Sequence, residues 1–494
     1  MTAWAATARA RAGSGLRLPW IVLAGLLAPA VGVLAATEPW VLICAAATVA
    51  ATLAILRWPV QAVLTLLAVR ATSKSQFLDL LVVLAGTLAL LLAAPRLGGR
   101  RVWLPFGILL LLALPTVPFH PSPDEGWAPA WLFLPKIQIA YLPRMSTELL
   151  LWLRLASVLV TFLLGCWAVR DERAMTKVIA ATLVSAVVPV AIALSQFASG
   201  HFKVRAGVKA IEGPFSHPDY FAFYLVVVLI VCVVAVLETR RVAVRAVLYA
   251  LLALCGFCLL ETYMRGAWIG FGLSLVVLGV LRYRSVFVVG AVVLVVALVS
   301  FPGTVHKVEQ RFGDLSSRNA AKSNNSWTWR TGQWRRMVHF GTDKPLTGSG
   351  FGSYSRMTLK EFGTETPHYG TIFDPAHPLT SERGFGAHND YVRMLVEMGV
   401  PGLCLWLAVL FGLFAATLRA RRSPELAPWA CAGTAVMIAV IFMSAGTNIQ
   451  ASTVVLVYVA GLIGALTGAA SAHASRAREK KKSEELGAAA TAVA

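Results

Sequence analysis

Apolar blocks about as long as a bilayer is thick recur from one end of this chain to the other, and that limits the fold before anything else. A helix needs roughly 17–25 mainly apolar residues to cross the hydrocarbon. Such blocks lie near 18–36, 40–56, 78–94, 103–119, 147–169, 174–197, 219–237, 242–260, 266–281, 285–301, 390–418, 427–445 and 451–469. The stretch 57–71 carries Arg57 and Arg70 and fits a short span or an interfacial helix. Lipid offers no partner to backbone N–H and C=O groups, so each block must satisfy its own as a helix. The expected fold is an all-α integral membrane protein with 12–14 transmembrane helices. Composition agrees, because only 14% of residues are charged against roughly 25% in a soluble domain.

A formal charge of +20 over 494 residues invites a nucleic-acid reading, but the positive residues sit in short links between apolar blocks. Arg96, Arg100 and Arg101 form one such link, Arg170 and Arg173 another, then Arg240, Arg241 and Arg245, Arg282 and Arg284, and Arg419, Arg421 and Arg422. Arg476, Arg478 and Lys480 to Lys482 follow the last block. Short links rich in Lys and Arg stay on the cytoplasmic side. The charge is a topology signal, and no nucleic-acid partner is expected. It puts 120–146, 198–218, 261–265, 302–389 and 446–450 on the outer side. The organisation expected is N-terminal membrane helices over 1–301, a long outer loop with short helices over 302–389, C-terminal helices over 390–470 and a basic cytoplasmic tail over 471–494.

The N-terminus imitates a signal peptide, with an apolar run from Trp20 and small residues at Ala35 and Ala36. With so many spans following, an uncleaved first helix is the more economical reading. The seven cysteines lie in or beside apolar blocks, so Cys255-x-x-Cys258 reads as buried apolar thiols without metal or disulfide chemistry.

Chemistry is expected on the outer face, where eight of the nine histidines fall. Arg265 stands in Thr262-Tyr-Met-Arg-Gly-Ala-Trp268 at the mouth of a span, where an arginine either snorkels or binds something. Arg330 and Trp334 belong to Trp327-Thr-Trp-Arg-Thr-Gly-Gln-Trp-Arg-Arg336, the length and period of a short amphipathic helix. Guanidinium suits phosphate because its planar donors engage two oxygens at once; the plainer reading is a solvated basic face. Arg205, beside Lys203 and Lys209, is a third basic candidate. His388, Asn389 and Tyr391 lie where the long loop enters a helix, and an exposed imidazole there can take or orient a hydroxyl proton. No P-loop, H-E-x-x-H or D-x-D occurs, so ATP-driven and metal-bound nucleotide-sugar chemistry are disfavoured; no cofactor or metal is expected. Gly348-Ser-Gly-Phe-Gly352 reads as a turn rather than a phosphate cradle.

An arginine at a helix mouth, a second arginine in a long outer loop and a His-Asn opening the next helix resemble the bacterial O-antigen ligase and polymerase superfamily. Gly213-Pro-Phe-Ser-His217-Pro-Asp-Tyr-Phe-Ala-Phe-Tyr-Leu225, Lys344-Pro-Leu-Thr-Gly-Ser-Gly350, and His388-Asn389 followed after nine residues by Gly399-Val-Pro-Gly402 strengthen the likeness. Leu403 and Met264 depart from it, standing where Thr and Ser are usual. The resemblance implies an inner-membrane glycosyltransferase with its site facing the periplasm or cell exterior. Its donor would be a glycan on undecaprenyl pyrophosphate, and its acceptor either lipid A core or another lipid-linked glycan. Arg265 and Arg330 would hold the pyrophosphate, helped by Arg205. His388 would handle the acceptor hydroxyl, with inversion and without a metal, and Trp334, Asn389 and Tyr391 would contact substrate. Arg330 and Gly341 show an Arg-x10-Gly spacing found in some polymerases, but Arg205 meets Ser216 at that distance, leaving ligase and polymerase nearly even. Two rivals stand beside this reading: a polyprenyl-phosphate-sugar transferase using Asp124 and Glu125, and a lipid-linked glycan flippase without covalent chemistry.

Overall fold

The computed structural model describes residues 39–72, 76–95, 97–117, 147–205, 208–288, 290, 326–362 and 386–493. The expected spans near 18–36 and 285–301, and the loop holding Asp124 and Glu125, lie outside them or nearly so. The protein is an all-α integral membrane protein. Its helices are α1 Pro39–Arg57, α2 Pro59–Arg70, α3 Gln76–Ala93, α4 Arg100–Ala113, α5 Thr147–Ala168, α6 Glu172–Val184, α7 Val187–Ser199, α8 Pro218–Glu238, α9 Val242–Glu261, α10 Arg265–Leu281, α11 Ser326–Asp343, α12 Tyr354–Phe362, α13 Asp390–Ala420, α14 Ala427–Ser444 and α15 Thr453–Val493. Among the described residues, seven helical stretches have the length and apolarity to cross a membrane, and four shorter apolar helices accompany them.

The core gathers around α8, which is apolar on all sides; 83% of its span window is buried, against 22% for α9 at the lipid-facing edge. Burying apolar surface brings little gain against lipid, so close backbone approach has to hold such helices together. Gly165 of α5 supplies one such approach. A Cβ there would meet the Ala465 amide nitrogen of α15 at 2.9 Å. On the other side, Gly270 of α10 lies against Met443 of α14, and the Ser274 hydroxyl donates to the Ala435 carbonyl at 3.0 Å.

Three details refine the expected spans. The block 174–197 is two helices separated at Ser185 and Ala186. Pro189 has no N–H to give the Ser185 carbonyl four residues back, and its ring crowds that carbonyl, so the helix breaks there. The stretch 57–71 is the 12-residue α2, started by Pro59. Its last residue, Arg70, is 4% exposed and pairs with Asp79 of α3 at 2.9 Å, while the Ser157 hydroxyl donates to the same carboxylate. The last apolar block runs on through the expected tail as one helix, α15, with Arg476 reaching the Arg170 carbonyl at 2.8 Å.

A short antiparallel hairpin is the one element of another class among the described residues: β1 Lys203–Arg205 pairs with β2 Val208–Ala210. The Gln196 amide clamps its far side, accepting from the Gly213 N–H and donating to the Gly213 carbonyl, and the Ile211 N–H bonds to the Glu261 carbonyl at the end of α9. Links 200–217, 262–264 and 445–452 thus gather with α11 and α12 at one end of the bundle. The Arg-rich links around Arg170, Arg240, Arg282 and Arg421 occupy the other.

Candidate functional site

Two breaks in regular structure shape the site. In α13, Gly399 adopts φ 66° and ψ −164°, a conformation open only to glycine, just before Pro401. The loop from Lys344 to Gly352 docks onto this break. The N–H groups of Ser349 and Gly350 bond to the carbonyls of Val396 and Glu397, and the Val400 N–H bonds to the Pro345 carbonyl. Glu397, fully buried, accepts from the N–H of Gly352 at 2.9 Å and of Tyr354 at 3.2 Å, and from Arg393 Nε at 3.0 Å. Burial, reinforced by this carboxylate, raises the Tyr354 phenol above its ordinary range. The backbone donors of the Gly348–Gly352 run are therefore committed to the protein, in keeping with a turn.

The loop helix α11 is oriented by what one face touches. Arg330, Gln333, Trp334 and Met337 fall at helical spacing. Arg330 Nη1 donates to the Gly446 carbonyl at 2.8 Å and Trp334 Nε1 to the Ala387 carbonyl at 2.6 Å. Met337 is fully buried with Tyr354, Ala387 and Val396, while Arg335 and Arg336 face outward. The helix is amphipathic as expected, with Arg330 on the inward face. The side chains of Trp327, Trp329 and Arg205 lie outside the described residues; Arg205 itself stands at the hairpin tip, opposite Val208.

His388 precedes the next helix with φ 48°, the left-handed region that a non-glycine residue rarely adopts. Its neighbours are fixed. Asn389 Oδ1 caps α13 by accepting from the N–H of Tyr391 and Val392, and the Tyr391 hydroxyl donates to the Ile441 carbonyl at 2.7 Å. In these contacts Asn389 and Tyr391 hold the scaffold that presents His388. Asp390, fully buried, accepts the backbone N–H groups of Ile449 and Gln450, which pins the link carrying Gly446.

Arg265 begins α10 after a turn in which Tyr263 has φ 55°, Thr262 is buried and Trp268 donates to the Leu259 carbonyl. The contacts of Gly270 with Met443 and of Ser274 with Ala435 set α10 antiparallel to α14. Continued by about one turn, this register brings the start of α10, Arg265, to the level of the end of α14, at the end of the bundle where Arg330 holds the Gly446 carbonyl.

The residue missed in the sequence is Asp219, in the first turn of α8. It is 5% exposed, and the His217 Nδ1 lies 3.3 Å from its carboxylate. Arg330 and His388 also act on it electrostatically, so one buried carboxylate relates two site residues almost 60 positions apart. Its sequence signal was His217-Pro-Asp219, a helix start at the end of an outer link. Behind it, Tyr220 lies within the fields of Arg154, Arg393 and Asp390. The described residues hold no group of three or more His, Cys, Asp or Glu arranged for a metal ion.

A family model described as O-antigen ligase matches residues 250–407. No curated protein matches the chain. The matched segment runs from α9 to just beyond the Gly399 break and contains Arg265, Arg330, Trp334, His388, Asn389 and Tyr391. Arg205 and Asp219 lie before it. Over that segment, about a third of the chain, the protein is similar to the O-antigen ligase family, on an all-α membrane architecture.

Proposed function

We propose that the protein transfers a preassembled glycan from undecaprenyl pyrophosphate to an acceptor hydroxyl. What supports the reading is one end of the bundle where the Gly446 carbonyl holds Arg330, His388 opens α13, Arg265 opens α10, and the buried Asp219 carries a charge that both Arg330 and His388 influence. This end is opposite the Arg-rich links, which supports a site on the outer side of the inner membrane.

In the transfer, the acceptor oxygen bonds to the anomeric carbon as the bond from that carbon to the pyrophosphate oxygen breaks, inverting the centre. The electron pair leaves on the lipid pyrophosphate, and Arg265 and Arg330 neutralise that charge as it grows. His388 takes the acceptor proton. Asp219, with His217 against it, holds a negative charge near His388 and Arg330 that favours the imidazolium formed and orients the guanidinium. Protein groups supply all the positive charge in this reading. The acceptor is lipid A core for a ligase and a second lipid-linked glycan for a polymerase.

The test uses the purified full-length protein, an undecaprenyl-pyrophosphate glycan and each acceptor in turn, with products resolved as ladders on a gel. Transfer to either acceptor, lost in Arg330→Ala, supports the reading. Movement of the lipid-linked glycan across a vesicle without any new glycosidic bond overturns it.

A further inference from the structure

The opposite end of the bundle holds a second feature built from charge. A cavity of about 400 Å³ opens where α10 ends, α13 ends and α14 begins. Its polar wall is Arg282, Arg421 and Arg422, and its apolar wall includes Leu281, Leu418 and Cys431. The size falls within the roughly 300–1,000 Å³ of ordinary small-molecule sites.

Its charge is unbalanced. Arg282 Nε lies 3.4 Å from Glu238, whose same oxygen accepts from the Tyr283 hydroxyl at 2.7 Å. Neither Arg421 nor Arg422 has a carboxylate within ion-pair distance among the described residues. The nearby Glu425 is turned to the Ser423 hydroxyl at 2.9 Å and to His473 at 3.7 Å. Of the three guanidiniums, only Arg282 has a carboxylate partner among the described residues. Guanidinium engages phosphate oxygens in pairs. The apolar wall adds the second half of an amphiphile's chemistry. Leu418, which lines the cavity, is 38% exposed, and Val280, next to Leu281, is 70% exposed on the lipid-facing flank of α10.

We propose that this cavity is a binding site for the headgroup of an anionic membrane phospholipid. The phosphodiester is held by Arg421, Arg422 and Arg282, and an acyl chain lies over Leu418. A bound lipid joins the ends of α10, α13 and α14, the three helices whose opposite ends carry Arg265, His388 and the Ala445–Gly446 link.

The full-length protein, stripped of lipid in mild detergent and reconstituted in nanodiscs of phosphatidylcholine with 10% phosphatidylglycerol, is examined by native mass spectrometry after release. Wild type is expected to retain phosphatidylglycerol over phosphatidylcholine, and R421Q/R422Q to lose that preference by about thirtyfold. R421K/R422K, which keeps the charge and guards against a folding artefact, should retain an intermediate share. R240Q/R241Q removes equal charge from a different link and should behave as wild type. Equal losses in R240Q/R241Q and R421Q/R422Q would assign the preference to the basic surface at large and overturn the site. Inorganic phosphate that stabilises the protein where phosphatidylglycerol does not would overturn it as well, in favour of a free-anion site.

Discussion

Arg330 Nη1 and the Gly446 carbonyl are 2.8 Å apart although 116 positions separate them in the chain, and this bond fastens the loop helix α11 to the link between α14 and α15. The anchor uses one Nη, and the other side of a planar guanidinium stays suited to a second acceptor. The bond holds Arg330 in place rather than leaving it a mobile surface charge.

Replacing Arg330 or Arg265 by Ala should each lower glycan transfer by roughly 10²–10³, the usual effect of losing one preorganised donor to a developing oxyanion. Arg330→Lys should recover little, since an ammonium cannot hold the Gly446 carbonyl and a phosphate with one planar group. Initial rates at saturating donor check this, with thermal unfolding run alongside to separate chemistry from anchoring. Full activity in Arg330→Lys would refute bidentate phosphate recognition at this position.

Asp219→Asn preserves shape and removes charge. It should reduce the transfer rate by roughly 10-fold or more, because the proton-accepting imidazole loses the carboxylate that favours its charged form. Donor affinity should move little. A pH–rate profile distinguishes this from simple damage: the limb due to His388 should shift toward lower pH in the variant, since a neutral Asn no longer supports the imidazolium. An unchanged profile with reduced stability would make Asp219 merely structural.

The membrane architecture and the site differ in how far the sequence discloses them. Helices announce themselves locally, because each apolar block must satisfy its own backbone, and the break at Ser185 follows from Pro189 within its block. Arg265, Arg330 and His388 are legible as candidates, being polar residues at places where apolar blocks end. Asp219 is not singled out, since the groups around it come from distant segments. Arg70 and Asp79 were visible only as isolated charges nine positions apart, and their pairing in the bundle depends on α2 ending beside the start of α3. The docking of Gly348–Gly352 on the Gly399 break was hidden for the same reason. A turn is a local property, but its partner is not.

The buried pair Arg70–Asp79 makes a stability prediction. Asp79→Ala leaves a guanidinium uncompensated at a site 4% exposed, which should cost about 3–5 kcal/mol. The double variant Arg70→Leu with Asp79→Leu should cost much less, because no lone charge remains. Thermal or denaturant unfolding in detergent reads both. If the double variant is as unstable as Asp79→Ala, the pair does more than balance its own charge.

Gly399→Ala tests the clamp between loop and membrane domain. A side chain at φ 66° and ψ −164° carries roughly 1–3 kcal/mol of backbone strain, and a Cβ there would also collide with the Pro345 carbonyl. The loop 344–352 should then detach from α13, and its amides at Gly350 and Gly352 should exchange with deuterium far faster. Amide exchange by mass spectrometry measures it. Unchanged protection would mean that the loop is held elsewhere.

His388 separates the proposed transferase from the acidic-residue alternative. As the group that accepts the acceptor proton, it should cost roughly 10²–10⁴ in rate when replaced by Ala, the range for a positioned acid–base group. Donor binding should survive, because Arg265 and Arg330 hold the pyrophosphate independently of the imidazole. Asp124→Asn combined with Glu125→Gln should be nearly silent, and transfer should persist in EDTA. A polyprenyl-phosphate-sugar transferase predicts the reverse: an inactive carboxylate double variant and a tolerant His388. The measurement is transfer of a lipid-linked glycan by the purified protein, with donor binding followed separately by competition. His388 also holds a left-handed backbone, φ 48°, that Ala tolerates less well, so His388→Gly and His388→Asn should accompany His388→Ala. All three must lose activity if the imidazole is the reason, whereas recovery in Gly would assign the defect to the backbone and leave the general base to another residue.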